Sequence, residues 1–327
     1  MSGAPEPADT PDTVTRALLA DGALVVEADR GAWPAVEPWV PLAAGAPAAG
    51  STAAARIRVR SAAPAAARPV GEPALELRSV RGWVLPGERV LLAEPGGRVG
   101  GMVDLAGRRA AVGVDPGADA GDAGVEVVAA LTIAAALLLT RLERALVHAA
   151  AVVAPGGGAW LLAAGTFSGK TTTCVNLIRG GWDYLADDHV VLAPHAAGGI
   201  RVEGWPRRFN LDHGYAGGAS IGVRSRVDPG GFGPGRLRPA APLAGVLFPR
   251  VEAELPTALA PVHAAGALAL LLRHTPWLLA DAGAARPVLE LLRQAARLPA
   301  YELRLGRDCY CDTRVLQLAL DGAICSA

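Results

Sequence analysis

Between residues 164 and 172 the chain reads Ala-Gly-Thr-Phe-Ser-Gly-Lys-Thr-Thr, a spacing of glycines, lysine and hydroxyls suited to wrapping a nucleoside triphosphate. Glycines let successive backbone N–H groups turn toward an anion, and a helix beginning at the lysine adds its positive N-terminal end. On this reading Gly165, Thr166, Phe167, Ser168, Gly169, Lys170, Thr171 and Thr172 hold ATP; the Lys170 ammonium reaches the outer phosphates and the Thr171 hydroxyl contacts Mg²⁺. The one departure from the usual P-loop pattern is Ala164, where a first glycine is customary.

Composition isolates the same lysine. Lysine and arginine together number 31, and Lys170 is the only lysine among them. A solvated surface tolerates either cation, but a compact ammonium with three rotatable donors is not replaced by a planar guanidinium where phosphates must be cradled. The surviving lysine therefore marks a position under chemical constraint.

Asp187 and Asp188 follow seventeen residues after Lys170, embedded between Tyr184-Leu185 and Val190-Val191-Leu192. In an adjacent pair one carboxylate can hold Mg²⁺ while the other takes the proton of an acceptor hydroxyl, which predicts phosphate transfer to an alcohol. His148, opening an apolar strand, fits either a site residue or a structural hydrogen-bonding one. Arg207 and Arg208 after Pro206, and Arg250 in Leu-Phe-Pro-Arg, are placed as arginines able to neutralise a transferring phosphate, although the abundance of arginine leaves chance placement open for each.

These groups need a strand, a turn and a helix in fixed order. Two strand-like runs, His148–Val153 and Ala159–Ala163, flank a glycine turn, and the second leads into the loop. A helix over Thr171–Arg179 stops at Gly180-Gly181, and a strand beginning at Trp182 and running to Leu192 carries the acidic pair. Farther along, the pattern predicts a Gly/Pro-rich loop at 228–236, a strand at 244–248, helices near 263–273 and 285–297, a strand at 301–305 and a last helix near 312–321. Upstream, residues 1–13 are too polar and proline-rich for regular structure. Residues 14–122 form a smaller strand-rich α+β domain with apolar stretches at 23–27, 56–60, 74–79 and 88–92. After the break at Gly121–Gly124, residues 123–327 form an α/β domain that opens with a buried helix over 126–146.

The stretch HAAAVVAPGGGAWLLAAGTFSGKTTTCVNLIRGGWDYLADDHVVL resembles the core of the HPr kinase/phosphorylase family and its HPr-kinase-related relatives. The resemblance covers about 147–192, with echoes in WPRRFNLD (205–212), in LFPR (247–250) and in YELRLG toward the C-terminus. It implies a P-loop kinase fold resembling phosphoenolpyruvate carboxykinase, ATP and Mg²⁺ as cofactors, and transfer to a serine hydroxyl. Carried over, Asp187 is similar to the general base, Asp188 and Thr171 to Mg²⁺ contacts, Lys170 to the phosphate clamp and His148 to the histidine near the reacting phosphate; the order of roles within the aspartate pair stays open. No Arg-Gly-Leu-Gly type signature is present, and the N-terminal half has no pattern that aligns with these kinases. The resemblance is thus closer to the related kinases of unassigned target, some of which phosphorylate serine in small precursor peptides, and the serine of a small peptide or carrier protein is the expected acceptor, selected by the N-terminal domain.

Two other functions fit the loop: a small-molecule kinase of the shikimate or gluconate type, and a nucleotide-dependent binding module without transfer. A typical GTPase switch is excluded, because Asn-Lys-x-Asp needs a second lysine. Zero formal net charge argues against a nucleic-acid partner. The longest apolar stretch, Val127–Leu139, is short of the ~20 residues of a membrane helix. The cysteines at 174, 309, 311 and 325 form neither a disulfide framework nor a zinc set. A cytoplasmic protein, in one copy or as a homo-oligomer, is expected. Trp33, Trp39 and Trp83 are read as packing residues, and 228–235 as a solvent loop or a lid.

Overall fold

The computed structural model describes residues 15–42, 53–64, 71–117, 120–212, 224–233 and 235–324. The expectation for residues 1–13 lies outside them. The chain is mixed α/β, with two large mixed sheets and few helices.

Residues 15–114 supply the first sheet: β1 (Thr15–Leu19), β2 (Leu24–Ala28), β3 (Ala55–Ser61), β4 (Leu75–Leu77), β5 (Val80–Leu85), β6 (Arg89–Ala93), β7 (Val99–Asp104) and β8 (Arg109–Val114). Their order is β1-β2-β3-β8-β7-β6-β5-β4, parallel at β2/β3 and β3/β8 and antiparallel elsewhere. Period-two alternation sets its faces: Ile57 and Val59 of β3 and Ala110 and Val112 of β8 are buried, while Arg56 and Arg109, one position before each pair, are exposed. A short helix, α1 (Trp33–Val36), follows β2 and runs into a 3₁₀ turn over Glu37–Trp39.

The buried helix predicted over 126–146 is α2 (Ala120–Thr140), and it ends earlier than expected because Ala145–Val147 is already a strand. It is apolar nearly all round for a physical reason. One side packs on β3, β7 and β8, the other on β9 (Ala145–Val147) and the 3₁₀ turn Pro276–Asp281. Residues from Leu19 to Ala300 join one continuous core through it. Arg141 donates to buried Asp281 at 2.9 Å, and Arg144 donates to Glu203 at 2.7 and 2.8 Å and to the Ala20 carbonyl at 3.0 Å.

The second sheet contains β9 and then β10 (Ala149–Val153), β11 (Ala159–Ala163), β12 (Asp183–Ala186), β13 (Val190–Pro194) and β14 (Ile200–Gly204). A separate hairpin pairs β15 (Phe209–Asp212) with β16 (Arg224–Val227); β17 (Ala240–Val251), β18 (Ala258–Pro261) and β19 (Ala300–Leu305) complete the large sheet. Its main path runs β12-β10-β11-β17-β14-β13-β9, with β19 parallel to β17 and antiparallel to β18. Its helices are α3 (Lys170–Arg179), α4 (Ala264–Arg273), α5 (Ala285–Ala295), α6 (Asp308–Cys311) and α7 (Thr313–Ile324).

The segment predicted as one strand from Trp182 to Leu192 breaks at the acidic pair. β12 pairs with β10 whereas β13 pairs with β14 and β9, so the chain changes neighbours across Asp187-Asp188. Of the loop predicted at 228–236, Phe232 packs on the far end of α3, under Arg179 at 5.5 Å. A Cβ on Gly235 would approach the Trp182 carbonyl to 2.3 Å. Phe232, Gly233 and Gly235 are therefore fitted against the helix end opposite the phosphate loop.

Candidate functional site

β11 is buried along its whole length and delivers the chain into the turn at Ala164. Gly169 takes φ +89, left-handed backbone that favours glycine, and a Cβ there would stand 2.5 Å from Leu305 Cδ1. Helix α3 starts at the next residue, so its first N–H groups point into the turn without intrahelical acceptors. Its other end is closed by a Schellman motif: Gly181, at φ +91, donates to Ile178 O, and Trp182 N donates to Leu177 O, each at 3.0 Å. The glycine plus aromatic after the helix thus fixes where β12 and the acidic pair begin.

Lys170 is buried and its ammonium donates to the Ala164 and Gly165 carbonyls at 2.6 and 2.7 Å. Burial lowers its pKa, and the carboxylates of Asp188 and Asp187 oppose that shift. Ser168 Oγ donates to Gly165 O at 2.8 Å, and a Cβ on Gly165 would meet nothing within 4 Å. At the tip, Phe167 adopts φ +63 with 80% of its surface exposed.

Thr171 Oγ1 donates to Asp187 Oδ2 at 3.2 Å, while the buried Asp187 Oδ1 has no hydrogen-bond partner. Burial pushes the Asp187 carboxyl up to about 7, reinforced by Asp188 beside it. Asp188 is different: burial raises its pKa, but the field of His189, Arg207, His148 and Lys170 outweighs it and holds the group below the ordinary carboxylate range. Arg207 donates to Asp188 Oδ2 at 2.7 Å and contacts His189 Nδ1 at 3.2 Å. A guanidinium only donates, so that nitrogen accepts and His189 is neutral, in keeping with burial lowering its pKa to about 3.

His148 sits at the bend between β9 and β10, where its backbone N–H donates to His274 O at 2.9 Å. Its Nδ1 lies 3.0 Å from the Asp188 carbonyl, an acceptor, so Nδ1 carries the proton and, in the neutral ring, Nε2 is left as the acceptor. Burial lowers the pKa of this imidazole too. The neighbouring His274 is lowered to about 4, again mainly by burial.

The fold thus brings Lys170, Thr171, Asp187, Asp188, His148 and Arg207 together. A cavity of about 430 Å³ opens over the glycine-rich loop, lined by residues 166–172, His148, Asp187, Asp188 and Asn210. Arg208 lines a second cavity and not this one. Arg250 is not brought in: it is held by Glu252 at 2.8 Å and Glu302 at 3.3 Å, while Val251, on the opposite face of β17, lines the cavity. Sequence reasoning missed Arg78, Asn210, Tyr310 and His189. His189 adjoins the acidic pair and carried that signal, and Asn210 lies within WPRRFNLD; Arg78 comes from the β4–β5 turn, 92 residues before Lys170, and nothing local announced it.

Among the described residues no group of three or more His, Cys, Asp or Glu side chains could hold a metal by itself. Nor is any described helix long and apolar enough to cross a membrane. The chain matches no protein-family model and no curated protein.

Proposed function

We propose that this chain is a Mg²⁺ and ATP-dependent phosphotransferase acting on a hydroxyl, with the serine of a small peptide or carrier protein as its acceptor, in the manner of the HPr-kinase-related enzymes its central segment resembles. The observation that carries the reading is Asp187: a buried carboxylate at the mouth of a phosphate-type loop, titrating at about 7, one oxygen on Thr171 and the other unpartnered. A general base works best when its pKa lies near the working pH.

The residues present fit the cofactors. Gly165 leaves open space, the start of α3 offers backbone donors, and Lys170 can exchange its two carbonyl partners for phosphate oxygens. Mg²⁺ takes one or two carboxylates and completes its octahedron with water and phosphate, so the lack of an all-protein metal cage is no obstacle. When bound it neutralises charge on the transferring group. Thr171 and Asp188 would hold it. Asp187 would accept the acceptor's proton as the new bond from the acceptor oxygen to the γ-phosphorus forms and the bond to the β–γ bridging oxygen breaks, with ADP leaving on that oxygen. Arg207 keeps Asp188 ionised and aimed, and His148 Nε2 stands by as an acceptor.

The Thr171–Asp187 hydrogen bond favours a second assignment, in which Asp187 joins Thr171 at the metal and Asp188 serves the acceptor. The experiment that tests both is transfer of label from ATP to serine peptides by the wild type, Lys170→Ala, Asp187→Asn and Asp188→Asn. Lys170→Ala is expected to weaken nucleotide binding on the order of ten- to a hundredfold and to abolish transfer. The aspartate variant whose nucleotide affinity no longer responds to Mg²⁺ identifies the metal contact. Unchanged binding and turnover in Lys170→Ala would end the proposal.

A further inference from the structure

A second cavity, of about 230 Å³, meets the first at the acidic pair: Asp187, Asp188 and Asn210 line both. Its walls come from distant parts of the chain. One is the strap Glu37–Leu42 that follows α1, contributing Glu37, Pro38, Val40 and Leu42. The other is the β15–β16 hairpin and the segment leading into it, contributing Arg207, Arg208, Asn210 and Arg226; Val128 of α2 also lines the cavity.

The strap is held in place from both sides. Trp39 is 1% exposed and its indole N–H donates to Thr132 of α2 at 3.1 Å. Trp205 packs edge-on against it, with centroids 4.7 Å apart, and donates to the Trp39 carbonyl at 2.8 Å. Leu42 N donates to Pro206 O at 2.7 Å. The chain that carries Arg207 and Arg208 is thus tied directly to the strap, and the cavity has a fixed width.

Its charge is uneven. Arg207 is committed to Asp188. Arg208 and Arg226 are exposed and have no acidic partner among the described residues, and Arg226 sits opposite Asn210 in the hairpin register. Among the described residues of that wall, Glu37, exposed on the strap, is the only acidic one in the lining. A group entering here meets the acidic pair that lines both cavities, with the guanidinium groups of Arg208 and Arg226 in the same lining. Guanidinium is the side chain best matched to carboxylate and phosphate oxygens.

We propose that this cavity is the acceptor site and that it selects a serine flanked by acidic side chains, the hydroxyl directed to the acidic pair and the neighbouring carboxylates to Arg208 and Arg226. This rests on the phosphotransferase reading and names its substrate class. It also gives the N-terminal part a defined task, since the strap forms one wall of the site.

The test measures binding by fluorescence anisotropy, on the full chain with Mg²⁺ and a non-hydrolysable ATP analogue. The probes are two labelled peptides of equal length, a serine flanked by glutamates and the same peptide with glutamines. The acidic peptide is expected to bind at least tenfold more tightly, and Arg208→Gln with Arg226→Gln to erase the difference; both residues are exposed, so the fold tolerates the change. Equal binding of the two peptides, no binding of either, or discrimination that survives the double variant overturns the proposal. Free phosphoserine competing as well as the acidic peptide would also overturn it, in favour of a small anionic acceptor. Nucleotide affinity of Lys170→Ala, measured in parallel, reports on the phosphotransferase reading independently of any peptide.

Discussion

Asp187 is held in a state that a free carboxylate does not adopt near neutrality, and this has kinetic and thermodynamic signs. Its carboxyl titrates at about 7 in the fold against ~3.9 in an unfolded chain. The stabilisation from its bound proton is therefore complete below the unfolded value and is lost as pH rises through about 7. Asp187→Asn, which cannot ionise, is expected to unfold at higher temperature than the wild type at pH 8, by roughly 1–3 kcal/mol in stability, the gap closing toward pH 5. Thermal unfolding of both proteins across that range checks this; a gap independent of pH would place the ionisation elsewhere. Turnover should show the same ionisation with the opposite benefit, kcat/KM rising with pH with a midpoint near 7. A flat profile from pH 5.5 to 8.5 would remove Asp187 from the rate-determining ionisation.

At the scale of elements, the strand–loop–helix unit was legible because each part has a local cause. The apolar run ending at Ala163, the glycine at a left-handed position and the Schellman glycine after Arg179 are all readable within a few residues. Gly169→Val, with left-handed backbone and a close Leu305, is expected to lose nucleotide binding, while circular dichroism reports that the sheets persist. The break in the strand at Asp187 was not legible, because it follows from β12 and β13 choosing different neighbours far away in sequence. The strap was missed for a like reason: Trp39 reads as ordinary packing until Thr132 and Trp205 are seen on either side of it. Trp39→Ala should cost about 3–5 kcal/mol, and Trp39→Phe about 1 kcal/mol through the lost Thr132 bond. Chemical denaturation measures both, and equal costs would mean that the indole N–H, not the packing of the ring, carries the strap.

Across the whole molecule, α2 makes the two sheets share one interior. The sequence suggests a division near Gly121–Gly124, yet a helix buried on both sides belongs to neither part alone, and Arg144 bridges Glu203 and the β1–β2 turn. The expected result is a single calorimetric transition with equal calorimetric and van't Hoff enthalpies. Two resolved transitions would show that the parts fold separately. The same interleaving explains why Arg78 escaped notice: a residue from the first sheet reaches a site whose motif lies in the second.

Lys170 supplies one last consequence, outside enzymology. Its Nζ is the only side-chain amine in these 327 residues, and it is capped by two carbonyls of the loop it serves. An amine-acylating reagent therefore has a single side-chain target, and the mass gained there counts the molecules whose loop has opened. The chain carries its own one-site chemical gauge of loop occupancy, with no engineered label.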